Sequence, residues 1–250
     1  MAISFDRVAE RYDATRGFPD EVMKDILAVF ERIMSRDTLI LDAGVGTGRF
    51  ALPLQERGFE VVGIDISPKM LSKAREKGLE NVLKSDLCHL PFVDRAFQFT
   101  LSVHVLHLIP DWRCALSEIG RVTTDEFLSV LSLKDNSPAQ EVRKVYEETC
   151  RQLGYEVRHV GMRERELPDV LPPDSLRKLM MYEHTMDVHS LVEGYQERLF
   201  SNLWSVPEEI HEQAMEVLRK QFDDIDTLLE VEDIRLASWS ARKIRNFCSL

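Results

Sequence analysis

Leu41-Asp42-Ala43-Gly44-Val45-Gly46-Thr47-Gly48-Arg49-Phe50 decides the reading of this chain. The apolar run Thr38-Leu39-Ile40-Leu41 leads into it, and a helix-like stretch from Arg49 to Arg57 follows. A strand, a glycine loop and a helix in that order form a nucleotide-cofactor cradle at the carboxyl end of a buried parallel strand. Alternating glycines permit a sharp turn and a close backbone approach to a ligand, where a Cβ would collide. The spacing departs from the dinucleotide fingerprint G-x-G-x-x-G. The third glycine arrives one residue early, at Gly48, and Arg49 stands where that fingerprint needs glycine for helix–strand packing.

The downstream sequence extends the pattern. Glu60-Val61-Val62-Gly63-Ile64-Asp65 reads as a second buried strand ending in an acid, where a carboxylate can accept both hydroxyls of a ribose. Ser67 as N-cap and Pro68 at the first helical position then open a helix. Asn81 to Ser85 is a short third strand, followed by Asp86-Leu87. A fourth, Phe97 to Val103, leads into His104-Val105-Leu106-His107-Leu108.

These four segments, in this order, resemble the class I S-adenosylmethionine-dependent methyltransferases, in their ubiquinone/menaquinone-type small-molecule group. The resemblance covers residues 5 to about 135 closely and the rest loosely. It implies an α/β fold: a Rossmann-like, seven-stranded, mostly parallel sheet with helices on both faces. The last strand would run antiparallel at the sheet edge, and a helical cap would follow strand five. It implies S-adenosyl-L-methionine as cofactor and S-adenosyl-L-homocysteine as product. The implied cofactor contacts are Asp42, Ala43, Gly44, Gly46 and Gly48 in the loop, then Asp65, Ile66 and Met70, then Ser85, Asp86 and Leu87. Asp86 would accept from the adenine amino group, and His104 would lie beside the transferable methyl. In similar methyltransferases an amino-terminal Tyr and Arg close over the cofactor. Tyr12 is then a lid residue, and Arg16 a bidentate partner for the cofactor carboxylate.

Several residues carry a plainer reading beside this one. Asp42 could hold the loop's own amides, and Asp86 could serve only a turn. The amphipathic stretch Phe5 to Arg16 could simply pack on the sheet edge. His104 and His107 form H-x-x-H, but no compact His/Cys/Asp cluster supplies further metal ligands, so no metal is expected. Either imidazole could act as a general base. His104 is the candidate, and His107 reads as a packed residue at a helix start. Tyr195, Arg198, Phe200 and Trp204 read as helix packing with a surface charge, the alternative being a wall of a substrate pocket.

The chain has 250 residues, 44% apolar and 30% charged, an ordinary soluble composition. A net charge of −11 argues against a dedicated nucleic-acid binder. No apolar run reaches the roughly 20 residues of a membrane span, and the four cysteines show no C-x-x-C spacing. A cytoplasmic monomer or homodimer is expected. The expected organisation is one domain: lid helices over 1–36, a cofactor-binding core over 37–135, a helical cap over 137–173, and the rest of the sheet and helices over 174–250. Helices are expected from Asp111 to Val122, Ser190 to Asn202 and Pro207 to about Phe222, with Ile234 to Ala241 as the closing strand. The expected activity is methyl transfer to an unidentified small molecule. Two alternatives remain, an NAD-dependent oxidoreductase, disfavoured by Arg49 and the Asp86 segment, and a non-catalytic cofactor-binding interaction module.

Overall fold

The apolar run after Thr38 becomes an interior strand of a seven-stranded sheet. A computed structural model of the protein describes residues 4–7, 9–10, 12–15, 17–134 and 137–249. The strands are β1 (Leu39–Ala43), β2 (Glu60–Asp65), β3 (Val82–Lys84), β4 (Phe97–Leu101), β5 (Thr123–Leu133), β6 (Ser175–Asp187) and β7 (Thr227–Ser240). Their spatial order is β3-β2-β1-β4-β5-β7-β6. The pairs β1–β2, β1–β4, β2–β3 and β4–β5 are parallel. In β1, Ile40, Leu41 and Ala43 are fully buried, as strands covered on both faces require.

β7 runs the other way. Asp174, just before β6, donates to the carbonyl of Ser238 late in β7, and Val188, just after β6, donates to Asp226 just before β7. Trp239 near the end of β7 stacks on Phe127 near the start of β5, whereas Ser132 at the end of β5 bonds Glu232 near the start of β7. β7 is therefore antiparallel to both neighbours. It lies between β5 and β6, which corrects the expected edge position: the edge strand is β6.

The helices are α1 (Tyr12–Thr15), α2 (Asp20–Ile33), α3 (Ala51–Glu56), α4 (Pro68–Glu76), α5 (Trp112–Val122), α6 (Pro138–Gln152), α7 (Leu167–Val170), α8 (Val188–Gln196), α9 (Glu208–Phe222) and α10 (Ala241–Cys248). Ser67 caps α4 by accepting from the Met70 amide, with Pro68 at the first turn. Asp111 caps α5 in the same way, through the Cys114 amide. Two helix expectations are corrected. α8 stops at Gln196 and not Asn202, because the chain turns left-handed at Arg198, φ +54°. Pro207 is the residue before α9 and not its first helical position. β7 begins at Thr227, seven residues before the expected Ile234.

The chain forms two compact units. The first comprises residues 1–131, 161–180 and 235–250, and the second 132–160 and 181–234, so the boundaries fall within β5, β6 and β7. The first unit carries the parallel sheet and helices α1 to α5, α7 and α10. The second has its own core, in which Val142, Tyr146 and Cys150 of α6 join Ala214, Met215, Leu218 and Phe222 of α9 with Tyr195 and Leu203. Tyr146 is fully buried there and its hydroxyl lies 2.7 Å from His211 Nδ1, so its polar tip is satisfied. Residues 137–160 of the expected cap belong to this second unit and 161–173 to the first.

Candidate functional site

From β1 the chain moves outward to β2 and β3, then returns to β4 on the other side of β1. In open α/β sheets ligands bind at this reversal, outside the carboxyl ends of the strands. Two loops flank it here, the glycine loop after β1 and residues 102–109 after β4.

All three loop glycines have left-handed backbone, with φ of +93° at Gly44, +55° at Gly46 and +89° at Gly48. Their surroundings differ. A Cβ on Gly44 would lie 2.3 Å from Val105 Cγ2, so the missing side chain makes room for the loop after β4 and not for a ligand. A Cβ on Gly46 would meet only Met70 Cε, at 3.4 Å. Gly46 is the glycine that leaves the cradle open.

The acids at the strand ends hold this backbone. Asp65 Oδ2 accepts from the Gly46 amide at 3.0 Å, and Oδ1 accepts from the Ser67 amide at 2.8 Å. Burial raises the Asp65 pKa against the Ser67, Gly46 and Ile66 amides that favour its charge. With three amides on it, the carboxylate retains about one acceptor position for a further donor. Asp42 is buried, and its carboxyl accepts from the Ala51 amide at the start of α3. Burial, followed by the charge of Asp65, pushes Asp42 up to about 7. Asp42 thus meets the first amide of α3, just beyond the glycine loop. Ala43 beside it is fully buried.

Farther along the crevice, the Ser85 amide donates to the Asp65 carbonyl at 3.0 Å, which ties the third segment to the second. Asp86 Oδ1 accepts from the Cys88 amide at 2.9 Å, a side-chain turn that leaves Oδ2 for other partners. Leu87 and Met70 are buried, and Ile66 is half-buried. His104 is exposed and left-handed, φ +61°, with its ring centroid 6.4 Å from that of Phe18. A non-glycine residue in that conformation costs about 1–3 kcal/mol and persists only where its surroundings impose it. His107 begins no long helix; it sits in a 3₁₀ turn, Leu106–Leu108, with Nδ1 3.4 Å from Glu164 Oε2.

Residues 41–126 match the methyltransferase domain family. That match runs from β1 into β5 and takes in the glycine loop and both acidic strand ends. Among curated relatives, a malonyl-[acyl-carrier protein] O-methyltransferase of Hamiltonella defensa is 32% identical over 155 residues, 59% of this chain and 58% of that one. A demethylmenaquinone methyltransferase of Thermus thermophilus is 38% identical over 128 residues, 47% of this chain and 58% of that one. The chain thus spans less than two thirds of these relatives' lengths. Among solved structures, the YcgJ protein of Bacillus subtilis superposes with a TM-score of 0.58 at 18% identity, over 89% of this chain and 98% of that one. A Haemonchus contortus phosphoethanolamine N-methyltransferase in complex with S-adenosylhomocysteine gives 0.52 at 19% identity, over 94% and 58%. These two likenesses concern the fold.

The structure also brings in residues that the sequence did not single out. Asp6 accepts from Ser67 Oγ at 2.5 Å and from the Lys69 amide at 3.1 Å, adding a charge at the start of α4. The Ser67 bond holds the Asp6 carboxyl below its usual range. Asp13 accepts from Thr47 Oγ1 and from Lys77 Nζ, both at 2.6 Å. The amino-terminal segment is thereby tied to the glycine loop and to both ends of α4. Tyr12 meets Phe5 edge-on at 5.8 Å and lies under the Arg49 guanidinium at 5.5 Å. Arg16 lies outside the described residues. In the second unit, Arg198 is buried and donates to the carbonyls of Leu203 and Val206 and to Glu208, while Trp204 Nε1 donates to the Arg198 carbonyl. That stretch packs within the second unit, but Arg198 is a buried charge after the helix and not the surface charge expected.

Proposed function

We propose that the protein transfers the methyl group of S-adenosylmethionine to a small-molecule acceptor. The observation that carries this reading is the open cradle at Gly46, with the Asp65 carboxylate bridging the Gly46 and Ser67 amides at the reversal of strand order. When bound, the cofactor supplies a methyl carbon made electrophilic by its sulfonium. Asp65 has an acceptor position left for a ribose hydroxyl, and Asp86 has Oδ2 for the adenine amino group. Ile66, Met70 and Leu87 give apolar cover, and Ser85 fixes the spacing of the two acidic segments. Tyr12, tied down through Asp6 and Asp13, closes the amino-terminal side as a lid, and Arg16 serves the cofactor carboxylate.

His104 is the group we assign to hold a proton when the acceptor carries one. An imidazole suits that task near neutrality, and such a base contributes about 10²–10⁴-fold. Alignment of acceptor and methyl does the rest, because the leaving group is good. The names of the two curated relatives specify different acceptors, and fold does not fix substrate. The acceptor class therefore stays at small molecule, and the protein itself is read as a cytoplasmic monomer or homodimer.

Transfer of radiolabelled methyl from S-adenosylmethionine to a panel of carboxylic acids, thioester-linked acids, quinols and amines tests this reading. Label in at least one small-molecule fraction is expected. Label found only in added protein or nucleic acid would overturn the small-molecule assignment.

A further inference from the structure

The loop after β4 is held from outside the parallel sheet. Glu164 opens a 3₁₀ turn, Glu164–Glu166, that continues into α7, and its carboxylate is buried at 7% exposure. Its Oε1 accepts from the amides of both Val105 and Leu106, the latter at 2.7 Å, while Oε2 faces His107 Nδ1. Those two N–H groups begin the turn Leu106–Leu108, where no helical carbonyl is available to them. Burial alone would raise the Glu164 carboxyl, but the His107 contact and the charges of His107 and His104 hold it below its usual range.

A second contact acts on the same loop. The Gly161 amide donates to the His107 carbonyl at 3.1 Å, and a Cβ on Gly161 would lie 2.2 Å from the Leu106 oxygen and 2.4 Å from the Ile109 oxygen. The supporting segment is itself anchored. The buried Trp239 of β7 donates to the Leu171 carbonyl at 2.7 Å, and Leu167 is fully buried. On the far side of the loop, Val105 fills the space left by Gly44.

We propose that Glu164 is a positioning residue for methyl transfer, fixing the backbone of residues 104–107 so that Val105 stays seated on Gly44 and His104 keeps its left-handed place at the end of the cradle. This rests on the methyltransferase reading of the site. A charged acceptor makes strong bonds to backbone amides, and removing it leaves the buried Leu106 donor and the half-buried Val105 donor unpaired. The role therefore depends on an acceptor oxygen within reach of both amides, which the length of the side chain supplies and its charge only strengthens.

Two conservative variants separate reach from charge. Glu164→Gln keeps the reach, and its amide oxygen can accept both N–H bonds. Glu164→Asp keeps the charge but withdraws the carboxyl by one methylene. Amide exchange at Val105 and Leu106, with Leu41 as internal control, is measured by NMR, and S-adenosylhomocysteine binding by calorimetry. Glu164→Gln is expected to stay near wild type in both. Glu164→Asp is expected to exchange at least about 10-fold faster at Val105 and Leu106 and to bind about 10-fold more weakly, with Leu41 unchanged. Gly161→Ala, pressing a Cβ onto the Leu106 and Ile109 carbonyls, is expected to match Glu164→Asp. Wild-type exchange in Glu164→Asp, or equal loss in Glu164→Gln, overturns the proposal. A wild-type chain that binds no S-adenosylhomocysteine would instead remove the methyltransferase reading, and the exchange comparison would still decide what Glu164 does to the loop.

Discussion

Gly44 and Gly46 lie two residues apart in one loop, yet the same substitution should affect them differently. Gly44→Ala forces a Cβ onto a backbone at φ +93° and to within 2.3 Å and 2.7 Å of the two Val105 methyl groups. Backbone strain of that kind costs about 1–3 kcal/mol, and overpacking a filled site costs about 1–3 kcal/mol more. Gly46→Ala carries strain at φ +55°, about 1–2 kcal/mol, and meets only Met70 Cε at ordinary distance. Urea unfolding with a constant m-value reads both. Gly44→Ala should lose about 2–6 kcal/mol and Gly46→Ala less than half of that. A double-mutant cycle with Val105→Ala isolates the steric part. Coupling that favours the double variant by about 1–3 kcal/mol is expected for Gly44→Ala and none for Gly46→Ala. Equal losses at the two glycines, with no coupling to Val105, would refute the assignment of Gly44 to loop packing and Gly46 to the ligand.

Three further outcomes are expected. Asp65→Ala removes a charged acceptor for ligand hydroxyls and should weaken S-adenosylhomocysteine binding about 10–100-fold by calorimetry; an unchanged affinity would remove Asp65 from the site. Asp42 titrates at about 7 when folded against an ordinary 3.8, so the unfolded chain releases its proton first and stability falls as pH rises from about 4 to about 7. Asp42→Asn should flatten that slope in urea titrations across the window, and an unaltered slope would contradict the burial argument. In the second unit, Lys134 Nζ lies 3.2 Å from the fully buried Glu230 and 2.7 Å from Glu232, so Lys134→Met should destabilise by about 3–5 kcal/mol through the unpaired buried charge. A loss under about 1 kcal/mol by thermal unfolding would show that Ser137, which donates to Glu230 at 2.5 Å, satisfies it alone.

Legibility in the sequence followed locality. The cradle from Leu41 to Asp65 was readable because its strand, glycines, cap and acid are set by near neighbours along the chain. Ser67 and Pro68 announce α4 by composition, and α4 starts there. The clamps on the cradle were not readable. Asp6 reaches Ser67 across 61 residues, Asp13 reaches Thr47 across 34, and Glu164 reaches Leu106 across 58. An isolated acid in a polar segment carries no mark of such a partner. β7 was read short for a related reason. Glu230, Glu232 and Asp233 look like a solvated loop, but Lys134, Ser132, Ser137 and His184 pair with the two glutamates inside the second unit. Burial of a charge is a property of its partner as much as of its own residue type. The place of β7 between β5 and β6 is likewise long-range pairing that no local pattern records.

The central claim is that the cradle around Gly46 and Asp65 holds S-adenosylmethionine. Calorimetric titration of the wild-type chain and of folded Gly46→Val with S-adenosylhomocysteine, S-adenosylmethionine and NAD tests it most directly. One site per chain is expected for the two sulfur cofactors, with no heat from NAD and loss of binding in Gly46→Val, whose branched side chain would occupy the ligand's space. Tight binding of NAD, or an unchanged S-adenosylhomocysteine affinity in Gly46→Val, would contradict it.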